Sequence, residues 1–114
     1  MAVFVFLACN LLAAASKDDY LAIDHFGITE PGESWNAIED DSLERDGRIP
    51  MNPSGGLIGG GHPVGATGAR MLLDATKQVS GTAGDYQVED ASRVATLNIG
   101  DSTATTACFV VESV

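Results

Sequence analysis

Residues 52–71 read NPSGGLIGGGHPVGATGARM. Seven of the fourteen residues from Gly55 to Gly68 are glycine, and His62 is the one ionisable side chain among them. Such backbone freedom around a single imidazole is costly to order, so it calls for a reason. Gly60-Gly61-His62-Pro63-Val64-Gly65 approaches the spacing of a phosphate-binding loop, with Thr67 close behind. Ala66, however, stands where the lysine should follow. A dinucleotide fingerprint fails as well, because the glycines do not fall at positions one, three and six. What remains is a glycine-rich approach to a helix, whose N-terminus can stabilise a negative group. His62 then has two readings. It is either a structural histidine bonding a nearby carbonyl, or a functional group that a substrate can approach because its flanks carry no side chains and Pro63 stiffens the turn. His25 has no such setting and reads as a surface residue.

Working outward, GATGARMLLDATKQVSG predicts a helix starting near Gly65. Ala66, Ala69, Leu72, Leu73 and Thr76 are spaced to share a face, and Gly81 is the stop signal. VATLNIG and TTACFVVESV are rich in β-branched residues around Gly100-Asp101-Ser102, which predicts an antiparallel pair, Val94 to Ile99 with Thr105 to Glu112. Upstream, Lys17 to Gly27 reads as a short helix with Leu21, Ile23 and Phe26 on one face and Gly27 at its end. A loop with one helical turn follows, with turns at Pro31-Gly32 and Asp46-Gly47. RIPMN is expected to be extended, since Ile49 and Asn52 both precede proline. The fold class is therefore α/β, a helix followed by an antiparallel strand pair.

Sixteen acidic against six basic residues give a formal charge of −10 over 114 residues, enough for one domain. That balance argues against nucleic acid and against an anionic membrane as partners. Phosphate recognition would fall to backbone N–H groups and to residues such as Arg70 and Lys77. Cys9 and Cys108 stand in no metal-ligand spacing, so no metal site is expected. They read as free thiols of a cytoplasmic protein, with a disulfide between them left open. The apolar run MAVFVFLACNLLAAAS is too short for a comfortable membrane span and lacks a basic start. It reads as a signal peptide, as a buried helix or strand, or as a start inside a longer reading frame. Residues 1–20 stay unassigned.

The stretch NPSGGLIGGGHPVGATGARMLLDATKQVSG closely resembles the C-terminal signature of the thiolase superfamily, the acetyl-CoA acetyltransferases, and most of all its sterol-carrier-protein-like branch. The Gly-His-Pro core with Gly-Ala-Thr-Gly behind it carries the resemblance, supported by DGRIPMNPSGG, VATLNIG, ATTACFVV and FGITEPGESW, and it covers 21–114. The resemblance implies part of the C-terminal half of a thiolase-like fold and acyl transfer between coenzyme A thioesters, which are substrates rather than cofactors. It implies a catalytic role for His62, which would activate a cysteine nucleophile and donate a hydrogen bond to the thioester oxygen. Ser54, Gly55, Gly61, Pro63 and Gly65 would line the path of the substrate.

The chain departs from the family in several places. It corresponds to roughly the last quarter of a thiolase, and the segment with the nucleophilic cysteine is not in it. IDHF (Ile23 to Phe26) only echoes the family's Asn-Glu-Ala-Phe or His-Asp-Ala-Phe segment. Asn98 stands at the place of a second, acid–base cysteine, and Asp101 replaces a glycine of the last cluster. Cys108 is expected in the core. Two function classes follow. One is an enzymatic part that is active only with a thiolase N-terminal half. The other is a non-catalytic remnant that binds acyl-CoA, a thiolase partner or its own copies. A small secreted acidic protein is the reading outside the family. The helix and both strands are expected to leave apolar faces uncovered.

Overall fold

The computed structural model describes residues 3–9, 17–100 and 105–114. Strands β1 (Val3–Cys9), β2 (Ala91–Gly100) and β3 (Thr105–Glu112) form one sheet in the order β1-β2-β3. β1 runs parallel to β2, ending with Cys9 opposite Asn98. β2 and β3 are antiparallel, from Arg93 opposite Glu112 to Gly100 opposite Thr105. The predicted strand pair is present, and the apolar run left unassigned by sequence supplies β1. A parallel pair cannot be closed by a hairpin. The crossover here carries α1 (Lys17–His25), α2 (Ser34–Glu39), α3 (Gly56–Gly60) and α4 (Thr67–Val79). The turn expected at Asp101-Ser102, and the substitution at Asp101, lie outside the described residues.

β2 is the central strand and is covered on both sides. Val94 packs with Met71 and Ala75 of α4 and with Val88 and Ala91. Its neighbours Ala95 and Leu97 point the other way and pack with Ala22 of α1, flanked by Ile49 and Met51. Alternation along one strand thus separates two apolar layers. Cys108 pairs with Leu97 and is a free, exposed thiol rather than the core residue expected. β3 ends the sheet order, and six of its eight residues are exposed, so a β-branched run there does not imply burial.

α4 buries a different face from the one its apolar spacing suggests. Ala66, Ala69, Leu72, Leu73 and Thr76 are exposed, whereas Thr67, Met71, Asp74, Ala75 and Gln78 are buried. Three of these five buried residues are polar, and their polar groups are bonded. Gln78, 1% exposed, donates from Nε2 to the Tyr86 carbonyl at 2.8 Å. Its Oε1 accepts from the Val88 N–H at 2.9 Å and from Gln87 Nε2 at 3.2 Å. A buried amide satisfied in this way ties α4 to the 3₁₀ turn Gly84–Tyr86 that leads into β2.

Both longer helices end as predicted. Thr82 N–H bonds the Lys77 carbonyl and Gly81 N–H the Gln78 carbonyl, with Gly81 at φ 69°. Ile28 and Gly27 repeat this pattern onto Ile23 and Asp24, with Gly27 at φ 63°. On α1, Ala22 and Ile23 are buried while Phe26 is exposed. RIPMN is extended only in part. Ile49 and Met51 bond back to Ser42 and Leu43, but Asn52 turns away at φ 49°. The Asn52 carbonyl accepts from Gly55 N–H at 2.9 Å, closing a four-residue turn with Pro53 second. Asn first, Pro second and Gly fourth is a recognised turn pattern, and it overrides the extended bias before proline.

Replacing Gln78 with methionine keeps the bulk but leaves the Val88 N–H and the Tyr86 carbonyl without their partner. Each unpaired buried group costs about 1–3 kcal/mol, so urea denaturation is expected to show a loss of about 2–5 kcal/mol with the m-value unchanged.

Candidate functional site

α3 is a five-residue helix, of which three residues are glycine, and it was not expected from sequence. Leu57 packs it on the Met71–Val94 cluster, and Arg70 bonds the Gly60 carbonyl at its end. The chain then passes through Gly61 at φ 72° and ψ 174°, a conformation open essentially to glycine alone. His62 follows at once, so the left-handed residue aims the imidazole back towards the start of α4.

His62 Nδ1 lies 2.8 Å from Thr67 Oγ1. Thr67 is 1% exposed, and its hydroxyl also donates to the Pro63 carbonyl at 3.3 Å. A hydroxyl has one proton, so both bonds coexist only if Nδ1–H is the donor to Thr67. In neutral imidazole Nε2 then carries the lone pair. Nε2 is buried, and among the described residues it has no hydrogen-bond partner. A buried nitrogen left in this state is unfavourable in a structural histidine, and it is what a base awaiting a proton donor requires.

The other residues singled out from sequence separate into two groups. Gly61, Pro63 and Gly65 gather around His62. The Pro63 carbonyl accepts from the N–H groups of Ala66 and Thr67 and so starts α4. A Cβ on Gly65 would meet nothing within 4 Å, which leaves open space beside the imidazole loop. Gly55 and Ser54 lie apart from His62, in the turn before α3 and beside α4. Gly55 sits at φ 96°, with a Cβ position only 3.1 Å from the Gly59 backbone. Ser54 Oγ donates to Asp74 Oδ2 at 2.9 Å, and Tyr86 OH donates to Asp74 Oδ1 at 3.1 Å.

Between the first turns of α4 and the strands runs an open cleft of about 430 Å³, lined by Val64, Gly65, Thr67, Gly68, Leu72, Asn98 and Phe109 among others. Asn98 reaches under the helix, its Oδ1 3.5 Å from where a Cβ on Gly68 would stand. Thr96, Ala107 and Phe109 share its sheet face by register. Cys108 points to the opposite face with Leu97, so the sheet separates its thiol from His62. Among the described residues, no three His, Cys, Asp or Glu side chains cluster to hold a metal ion, and no helix is long and apolar enough to cross a membrane.

In the sequence Thr67 stands out only for its spacing and Arg70 only as a spare cation, and Asp74 does not stand out at all. Their one common signal is the spacing 67, 70, 74, which places them along one side of a helix.

Residues 9–113 match the family described as thiolase C-terminal domain-like. An acetyl-CoA acetyltransferase of Methanothermobacter thermautotrophicus is 44% identical over 95 residues, which are 83% of this chain and 25% of that protein. A benzoylsuccinyl-CoA thiolase subunit of Thauera aromatica is 31% identical over 81 residues, 71% of this chain and 21% of that one. Sterol carrier protein 2 of Gallus gallus is 33% identical over 85 residues, 75% and 16% of the two chains. The chain therefore spans a quarter or less of the length of these relatives.

Thr67→Val removes the hydroxyl and keeps the shape. The Nδ1–H form of His62 is expected to give way to a mixture of tautomers, while Thr67→Ser retains it. Imidazole ¹⁵N shifts read this directly, because the chain has only two histidines.

Proposed function

This chain belongs to the thiolase C-terminal domain-like family, and from that membership we propose that it is the C-terminal part of an acyl-CoA acyltransferase site. In this reading His62 is the catalytic base and a thioester-oxygen donor, and a cysteine outside these 114 residues is the nucleophile. The observation that carries the proposal is the state of His62. Buried Thr67 fixes its Nδ1, and its Nε2 is left without a partner. Nε2 would accept the thiol proton, and the thiolate would attack the thioester carbonyl and expel the coenzyme A thiol, which takes up a proton. The acyl group would remain on the cysteine as a thioester. The imidazolium so formed can donate to the thioester oxygen. Cys108 is on the wrong face of the sheet for this role. Asn98 adds an amide to the cleft beside the site. That group can hydrogen-bond a carbonyl but does not exchange a proton near neutral pH.

The outward face of α4 supports a partner for the missing half. Leu72 is 37% and Leu73 53% exposed, and Val64 and Phe109 beside them are 77% and 50% exposed. Exposed apolar side chains on α4, the turn before it and β3 are what a covering layer requires. The remainder of a thiolase fold, supplied by the same or another polypeptide, is the proposed cover, and a second copy of this chain is the alternative occupant. On this account the isolated chain binds acyl-CoA weakly and turns nothing over.

The test is a thiolysis assay of the chain mixed with a thiolase N-terminal half, and of the same mixture carrying His62→Ala. Truncating the imidazole is expected to lower the rate by at least about a hundred- to a thousand-fold, the usual loss of one oxyanion donor, with assembly intact. Unchanged turnover in a well-folded His62→Ala complex would remove the acyltransferase reading. Leu73→Asp is expected to weaken assembly with the N-terminal half while leaving the melting temperature of the isolated chain within a few degrees, because that side chain is half exposed.

A further inference from the structure

Arg70 lies one helical turn beyond Thr67 on α4, and its Nη1 donates to two successive carbonyls, Gly60 at 2.7 Å and Gly61 at 2.9 Å. These are the two peptide units immediately before His62. We propose that Arg70 is the positioning residue of the His62 site, and that Gly60 is glycine to admit its guanidinium. A Cβ built on Gly60 would stand 2.7 Å from Nη1 and 3.1 Å from Cζ, closer than such atoms pack.

The physical case rests on what would otherwise hold the loop. Gly59, Gly60 and Gly61 have no side chains to anchor them, and glycine restricts its own backbone less than any other residue. Thr67 grips the imidazole at Nδ1, but one bond to a ring does not fix the peptide that carries it. The guanidinium supplies the second point. It is always charged, and its bonds to carbonyls are stronger than those of a neutral donor. Both grips come from adjacent turns of one helix, so imidazole and backbone are referred to the same rigid element. Nη1 is thereby committed to the loop carbonyls.

The role of Arg70 matters for turnover only if His62 has the function proposed above, but its effect on His62 can be seen without turnover. The experiment uses the ¹⁵N-labelled 114-residue chain, in which His25 on α1 is the only other histidine and serves as internal control. In the unmodified chain, His62 is expected to show one tautomer with Nδ1 protonated. Arg70→Ala should bring the two ring-nitrogen shifts of His62 towards each other, with His25 and the amide signals of β2 unchanged. Gly60→Ala should do the same while leaving the arginine in place, because its methyl displaces the guanidinium. It also carries the test if Arg70→Ala does not fold. Arg70→Lys, whose ammonium can reach the same two carbonyls, should restore the single tautomer.

In the assembled enzyme, Arg70→Ala should lower kcat about ten- to a hundred-fold with little change in KM, as expected for a misplaced group. A His62 tautomer unchanged in both Arg70→Ala and Gly60→Ala would overturn the proposal. So would changes that spread equally to His25 and β2. A fixed His62 that responds to these variants, in a complex that transfers no acyl group, would instead sink the acyltransferase reading and leave this one standing.

Discussion

One side of α4 does most of the organising. Thr67, Arg70, Asp74 and Gln78 follow one another at three- and four-residue steps, and each bonds chain outside the helix. Thr67 takes the His62 ring, Arg70 the carbonyls of Gly60 and Gly61, Asp74 the hydroxyls of Ser54 and Tyr86, and Gln78 the backbone at Tyr86 and Val88. Beside this polar line, Met71 and Ala75 press on Val94 of the central strand. The helix is therefore anchored to the sheet by dispersion and apolar burial, and it transmits that fixed position to the loops through hydrogen bonds. Loops of glycine, proline and serine could not hold a geometry by packing alone.

The same arrangement accounts for the surface. A helix that spends its inner face partly on polar groups has apolar residues left for the outer one, and Leu72 and Leu73 stand there exposed. Among the described residues β3 pairs with β2 alone, and Phe109 and Val110 are open to solvent. These features fit a chain that spans a quarter or less of its thiolase and sterol-carrier relatives. The site has an oriented imidazole, a neighbouring amide and a cleft, but its one described thiol faces the far side of the sheet.

Rigidity and access coexist here by division of labour. Glycines at 60, 61 and 65 remove side chains where a guanidinium or open space must fit, and helix-borne side chains restore the order that glycine gives up. Gly65 faces open space, Gly61 provides an angle, and Gly60 provides room for Arg70. Three glycines in one loop thus answer three separate constraints.

Some of this is fixed by sequence alone. The β-branched runs around Gly100 specify strands, Gly27 and Gly81 specify helix ends, and the Gly-His-Pro stretch marks the family, because each depends on local stereochemistry or on a motif many residues long. The identity of the buried side of α4 was not legible. Leu72 and Leu73 out-rank Asp74 and Gln78 on any hydropathy scale, and only contacts with distant partners such as Tyr86 and Val88 make the polar side the inner one. For the same reason the bond from Ser54 to Asp74 was not legible, and Cys108 could be read as core until β3 was found at the end of the sheet order. The strand formed by Val3–Cys9 and the grip of Arg70 on the residues before His62 likewise exist only once the chain has brought separated segments together. Hydrogen bonds between separated segments have no period in the sequence, so tertiary structure alone decides them.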